Sequence, residues 1–404
     1  MLGGMSVEVR SCTSEEELVE AFRTVEVAFG EEPSEADVER SKKTMPVDRA
    51  LVAVEDGRFV GVAAAWPFSM TVPGGELPCP GVTWVGVLPT HRRRGVLTAM
   101  MRFQLDDIHA RGEPLAALWA SESLIYGRFG YGIAAPVHEL NAVKSRFGFR
   151  DDPGPVGSLR MVTREEAAEL VPPVYERIRA QRSGMVSRST TWWWESRLYV
   201  GPGPPGTGQR FFVVYERDGR PEGYAFYRLR NKWENGTPQG SVMVVEALGE
   251  TPAATREIWR FLFGIDLTER VETNVLDPAS GLWLGVADPR RLGVKLGDGV
   301  WLRLVDVEAA LAARSWASDD SLVFEVHDAF CPWNDGRYRT GEGRVDADPD
   351  LVLSAADLAS AYLGGVDVFA LAAAGRIEER TSGAVARADA VFRTSLPPFC
   401  PEVF

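Results

Sequence analysis

Cysteine, histidine and long apolar runs are all scarce in this 404-residue sequence. Its four cysteines, Cys12, Cys79, Cys331 and Cys400, stand far apart and form no Cys-x-x-Cys pair. The four histidines show no zinc-ligand spacing, so neither a disulfide framework nor a metal site is expected. No stretch approaches the ~18 apolar residues that span a bilayer. Met1–Arg10 has neither the basic start nor the apolar stretch of a signal peptide. Positive charge is in deficit too: 44 Lys and Arg against 57 Asp and Glu give a net charge of −13. Nucleic acids and anionic membranes are held by clustered Lys and Arg. The sequence therefore reads as cytoplasmic, with no nucleic-acid or membrane partner, and the acidic excess favours a cationic one.

Aromatic residues, by contrast, are plentiful. Twelve Trp, 19 Phe and a 45% hydrophobic share supply packed cores and exclude a disordered chain. The length predicts two to four domains. Ser14 opens a helix with Leu18, Ala21, Phe22, Val25 and Phe29 at helical spacing. Ala50–Val54 and Phe59–Trp66 read as a hairpin turning at Glu55-Asp56-Gly57. A Pro/Gly-rich loop leads to a third strand, Val82–Val87, and then to a helix carrying Val96, Leu97, Met100, Met101, Leu105 and Ile108. A strand at Leu115–Ala120 and a short helix around Glu122–Arg128 follow. The order then recurs: a hairpin from Phe211–Tyr215 and Gly223–Arg228 turning at Asp218-Gly219, a strand at Ser241–Leu248, and a helix at Ala253–Phe263. This predicts a duplicated α/β unit with a linker at Asp151–Gly157. A third region starts near Val300 and ends in an extended, proline-stiffened tail, Pro397–Phe404. Trp192-Trp193-Trp194 is expected to serve packing.

The sharpest motif is the run Val85 to Val96, in which a strand ends, the chain turns at Pro89 and His91-Arg92-Arg93-Arg94-Gly95 opens a helix. Unpaired N–H groups and the dipole at a helix start attract anions. Gly95 admits a ligand to the backbone, and the arginines offer charge-assisted donors to a pyrophosphate. Neither a Gly-x-x-x-x-Gly-Lys nor a Gly-x-Gly-x-x-Gly fingerprint is present.

This run resembles motif A of the Gcn5-related N-acetyltransferases (GNAT), with Arg92-x-x-Gly95 matching and Leu97 standing where Gly or Ala is usual. Ser121-Glu122-Ser123-Leu124-Ile125-Tyr126 and Gly130-Tyr131-Gly132 are similar to the later part of that fold. Over essentially all 404 residues the chain resembles the Eis (enhanced intracellular survival) aminoglycoside acetyltransferases. The fold implied is α/β (α+β): a catalytic GNAT domain over 1–150, a degenerate GNAT-like domain over 151–297, and a sterol-carrier-protein-like domain over 298–404. The resemblance implies acetyl-coenzyme A as donor, held by Val85, Gly86, Val87, Arg92, Arg93, Arg94, Gly95, Val96, Leu97, Thr98, Ser121 and Glu122. It implies Tyr126 as general acid, the terminal carboxylate of Phe404 as general base, and a homo-hexamer. The second copy has Gly249-Glu250-Thr251-Pro252-Ala253-Ala254 in place of the Arg-Gly loop, so it should not bind coenzyme A.

Chemically, a phenol of pKa ~10 is a proton donor at neutral pH, whereas a carboxylate of pKa ~3.3–3.7 is a weak base unless burial raises it. His91 and His109 are the other candidate bases. Glu26, Glu32 and Glu402 are expected to line the acceptor cleft and attract a cationic amine, with Trp66 and Phe68 as apolar walls. Three readings stay open: an aminoglycoside acetyltransferase, a protein-lysine or polyamine acetyltransferase, and a lipid- or peptide-binding protein using its sterol-carrier-like domain.

Overall fold

A computed structural model describes residues 7–201 and 203–404. The chain forms two compact units. One comprises Met1–Ala135, Gly299–Ser395 and Val403–Phe404; the other comprises Pro136–Asp298 and Leu396–Glu402.

In the first unit, strand β1 (Glu8–Ser11) leads to helix α1 (Glu15–Phe29). The Ser14 hydroxyl caps α1 by accepting from the Glu17 N–H, and Gly30 ends it at φ 81°. Leu18, Ala21, Phe22, Val25 and Ala28 form its buried face. Helix α2 (Glu35–Thr44), which the sequence pattern did not reveal, follows with a capping box between Ser34 and Asp37. Strands β2 (Ala50–Glu55) and β3 (Arg58–Trp66) turn at Asp56 and Gly57, both at positive φ as a two-residue hairpin turn requires. The expected Pro/Gly-rich loop is itself a small hairpin, β4 (Ser69–Val72) and β5 (Gly75–Pro78). Its four-residue arms are too short to display an alternating pattern.

Strand β6 (Gly81–Val87), helix α3 (Val96–Ala110), strand β7 (Leu115–Trp119) and helix α4 (Ser123–Tyr126) complete the N-terminal part. The strands are ordered β1-β2-β3-β6-β7. Residues 300–304 of strand Lys295–Leu304 pair antiparallel with β7, a late strand the sequence pattern did not assign to this sheet. The rest of the unit includes a five-stranded sheet with Val323–His327 at its centre and helix Ala355–Tyr362, every residue of which is buried.

The second unit repeats the plan. Thr207–Arg217 and Arg220–Arg230 pair antiparallel, turning at Asp218 and Gly219, again both at positive φ. Ser241–Gly249 runs parallel to Arg270–Leu276 over its first three residues only. Helix Pro252–Gly264 packs Ile258, Trp259, Leu262 and Phe263 onto that sheet. Trp192 and Trp193 are buried, which fits a packing role. All four cysteines are buried free thiols. Among the described residues no helix is long and apolar enough to cross a membrane.

Candidate active site

Strands β6 and β7 are parallel neighbours at one point only, Gly81 opposite Ala117, and diverge beyond it. That divergence leaves the backbone of residues 82–87 without a partner strand on the β7 side. A bulge sharpens it: Trp84 and Val85 together oppose Ala63 of β3, and Trp84 adopts φ 54°. Gly86 has no side chain because α1 crosses there, and a Cβ would stand 2.8 Å from the Val25 Cγ2.

A cavity of about 530 Å³ opens between the diverging strands and the start of α3, within the usual range for a small-molecule site. It is lined by residues 85–87 of β6, by Arg92, Arg93 and residues 95–98 of the loop and helix, and by Ser121, Glu122 and Tyr126. Gly95 starts α3 at φ 85° with nothing within 4 Å of a would-be Cβ, so the first-turn N–H groups can be approached. Leu97 packs against the apolar clusters on either side of α3. A side chain larger than Gly or Ala is therefore accommodated there. Arg92 is held across the loop: its Nε donates to the Val87 carbonyl at 3.2 Å and its Nη2 to the Ala28 carbonyl at 2.9 Å. Arg93 is exposed at φ 61°.

Arg94 departs from expectation. Its guanidinium grips Glu55 through two bonds, of 2.5 and 3.2 Å, and it does not line the cavity. Together with His91, whose Nε2 lies 2.9 Å from the same carboxylate, it holds the Glu55 carboxyl below its usual range. His91 is thus engaged as a loop brace, and His109 stacks on Trp333 at 4.5 Å. His91, Ala28, Phe29, Ile125 and Arg128 also line the cavity. Ala28 and Arg128 are the ones that the sequence did not single out.

Tyr126 is buried at the end of α4, in the same apolar cluster as Ala65, Val82 and Tyr131. Burial, with a smaller contribution from Glu122, pushes its phenol up to about 12. The turn behind it is fixed by sterics. Gly130 has φ 83°, and a Cβ there would overlap the Arg303 guanidinium; one at Gly132 would run into the Ala356 carbonyl. Arg303 is fully buried and donates to Asp328 at 2.5 Å.

On β6 and its neighbours an aromatic row runs from α1 to the tail. Phe22 meets Trp84 at 5.1 Å, Trp84 meets Trp66 at 6.3 Å, Trp66 meets Phe68 at 6.2 Å, and Phe68 meets Phe404 at 5.5 Å. Glu26 lies one turn along α1 from Phe22, on the same face. Burial, then Glu31 and Asp37, push its carboxyl up. Glu32 is exposed between α1 and α2. Glu402 is a correction to the expected acceptor set: it is wholly buried, and Arg188 and Arg197 bind both its carboxylate oxygens.

Residues 8–134 and 184–304 each match an acetyltransferase (GNAT) domain, and residues 307–401 match a sterol carrier protein domain. An uncharacterized N-acetyltransferase of Streptomyces avermitilis is 43% identical, covering 88% of this chain and 90% of that protein. N-acetyltransferase Eis of Mycobacterium tuberculosis is 36% identical, covering 87% of this chain and 89% of its own length. The chain belongs to the Eis family of GNAT N-acetyltransferases. The crystal structure of Eis1 from Mycobacterium abscessus agrees, at 32% identity and a TM-score of 0.86, covering 98% of this chain and all of that one. GNAT enzymes use acetyl-coenzyme A, and the glycine-started helix and open strand edge are features that suit it. The second GNAT-like half of this Eis-family chain starts its corresponding helix differently. There the Thr251 hydroxyl already accepts from the Ala254 N–H, Pro252 has no N–H, and Glu250 puts a carboxylate at the helix start.

Proposed function

We propose that the chain transfers the acetyl group of acetyl-coenzyme A directly to an amine of a polycationic acceptor, with aminoglycosides as the favoured class. The observation that carries this reading is the placement of Tyr126 on the same cavity wall system as the open β6 edge and the Gly95 helix start. The donor supplies an activated acyl carbon and a leaving sulfur. Arg92, Arg93 and the N–H groups of residues 96–98 would hold its pyrophosphate, and the backbone of Val85, Gly86 and Val87 would align its pantetheine arm. Ser121 and Glu122 border the same cavity.

Proton movement is assigned to two groups. The Tyr126 hydroxyl donates to the departing sulfur, a role for which a phenol protonated throughout the neutral range is suited. The Phe404 carboxylate accepts a proton from the acceptor ammonium and orients the amine. Glu26 and Glu32 attract the cationic acceptor, and Trp66 and Phe68 form apolar walls beside Phe404. No cysteine is placed among the residues lining the cavity, which supports direct transfer within a ternary complex over an acyl-enzyme.

The test is acetyl-coenzyme A consumption across a panel of aminoglycosides, linear polyamines and lysine peptides. Turnover with aminoglycosides at kcat/KM at least tenfold above the other two classes is expected. Preference for a lysine peptide would replace this reading by protein acetylation. Absence of turnover with every amine, alongside saturable fatty-acyl binding, would replace it by lipid binding. The homo-hexamer that the resemblance implies is measurable by light scattering.

A further inference from the structure

The second GNAT-like half, whose helix start differs from that of the first, contains a buried cluster of four charged side chains. Arg188 and Arg197 flank the Trp triplet, Glu246 sits in the middle of strand Ser241–Gly249, and Glu402 comes from the tail. Their side chains are 0%, 10%, 1% and 0% exposed, respectively. Arg188 donates through Nε to Glu402 at 2.6 Å and through Nη1 and Nη2 to Glu246 at 3.0 and 2.6 Å. Arg197 donates to Glu402 at 3.0 Å, to Glu246 at 2.7 Å and to the Pro401 carbonyl at 3.1 Å. Tyr224 donates its hydroxyl to Glu246 as well. The Arg188 guanidinium also lies 3.9 Å from the Tyr175 ring centre and 4.7 Å from that of Trp193, two rings that meet edge to face.

Glu246 follows a register irregularity in its strand, as residues 84–85 mark the bulge in β6. In the first half that stretch lines the donor cavity; in the second it faces the tail. The rest of the tail is held equally closely. The Phe399 N–H donates to the Ser183 carbonyl at 2.9 Å, and Gly184 at φ 90° lets the tail backbone approach. Phe399 and Cys400 are buried.

We infer that the second half has become a clamp for the C-terminal segment, in which Arg188, Arg197 and Glu246 lock Glu402 and thereby fix the path of Val403 and Phe404. Only Val403 lies between Glu402 and Phe404, so their Cα atoms are at most about 7 Å apart. The clamp cancels two cations against two anions. Removing one partner leaves an uncompensated buried charge and frees the segment. These residues touch no substrate; they are positioning residues. Their effect on turnover rests on the terminal carboxylate acting as proposed above.

The test uses Glu402→Gln in the full chain, read three ways: by release of Phe404 with carboxypeptidase A, by kcat, and by KM for acetyl-coenzyme A. Expected are release at least tenfold faster, kcat at least tenfold lower and KM within threefold of the parent. A folded variant that releases Phe404 at the parental rate overturns the clamp. Faster release with undiminished kcat supports the clamp and removes the terminal carboxylate from the mechanism. If Glu402→Gln does not fold, Arg197→Lys serves in its place. It keeps the charge, sits at the cluster's more exposed side and loses the fork shared between Glu402, Glu246 and Pro401. Accelerated release is again expected, and an unchanged rate again refutes the clamp.

Discussion

The ring of Phe404 meets that of Phe68 edge to face, 5.5 Å between centroids, across a strand position that must be glycine. A Cβ at Gly81 would stand 2.7 Å from the Phe68 Cδ2 and 3.1 Å from the Phe404 Cδ2. The ring of Phe404 is thus packed against Phe68 and the Gly81 backbone, and the proposed role of its carboxylate can be tested without disturbing that contact. Extending the chain by one glycine moves the carboxylate by about 3.5 Å while leaving the ring in place. Such a variant should lose at least ~100-fold in kcat, the scale of a lost acid or base. Steady-state kinetics at saturating donor will check it, and an unaltered kcat would exclude the carboxylate.

Tyr126 gives a cleaner separation of binding from chemistry, because Phe preserves the ring that packs against Tyr131 at 6.0 Å. Tyr126→Phe should leave KM for acetyl-coenzyme A within about threefold and lower kcat by ~10²–10⁴. Donor affinity by calorimetry and kcat by thiol release will separate the two. Undiminished turnover would assign the proton to another group.

The phenol's raised pKa also fixes the shape of the pH profile. A group whose folded value, about 12, exceeds its unfolded value of ~10 keeps its proton longer in the folded state. Its contribution to stability is complete below pH ~10 and is lost as pH rises towards 12. Catalytically, the acid form persists across the same range, so kcat should show no descending limb before about pH 10. A limb centred near pH 9 in stopped-time assays would contradict a buried phenol as the acid.

Strand β6, helix α3 and the duplicated hairpins were legible because each has a local signature. Asp56-Gly57 and Asp218-Gly219 mark turns, and apolar spacing marks α3. Arg92 and Gly95 could be placed for the same reason. Arg94 could not: nothing in three adjacent arginines says which one faces a ligand and which one reaches Glu55, a residue on another strand. Glu402 was unreadable for the related reason that its partners, Arg197 and Arg188, lie 205 and 214 residues earlier in the chain. An acidic residue near a site reads as a substrate contact until its counterions are located. Strand residues 300–304 were missed because their partner, β7, is remote in sequence and β-structure depends on that pairing.

That difference among the arginines is directly measurable. Arg92→Ala removes a guanidinium from the cavity wall and should raise KM for acetyl-coenzyme A about tenfold, as expected for loss of a charge-assisted bond of ~1.5–3 kcal/mol. Its kcat should change by less than threefold. Arg94→Ala should leave donor KM within about twofold. Equal effects in the two variants would mean that the loop rearranges when donor binds.

Support for the Tyr126 turn can be measured as stability. Gly130→Ala would place a Cβ in a left-handed backbone, costing about 1–2 kcal/mol, and would press it into the Arg303 guanidinium. Arg303 is buried with Asp328, and disturbing such a pair costs a further ~3–5 kcal/mol if it breaks. Urea unfolding should therefore show a loss of at least ~2 kcal/mol. Gly127→Ala is the matched control: its φ is −57° and nothing lies within 4 Å of the added atom. It should be neutral or gain ~0.4–1 kcal/mol through the unfolded state. Equal destabilisation by both substitutions would show that the turn, and not the Arg303 contact, limits what position 130 accepts.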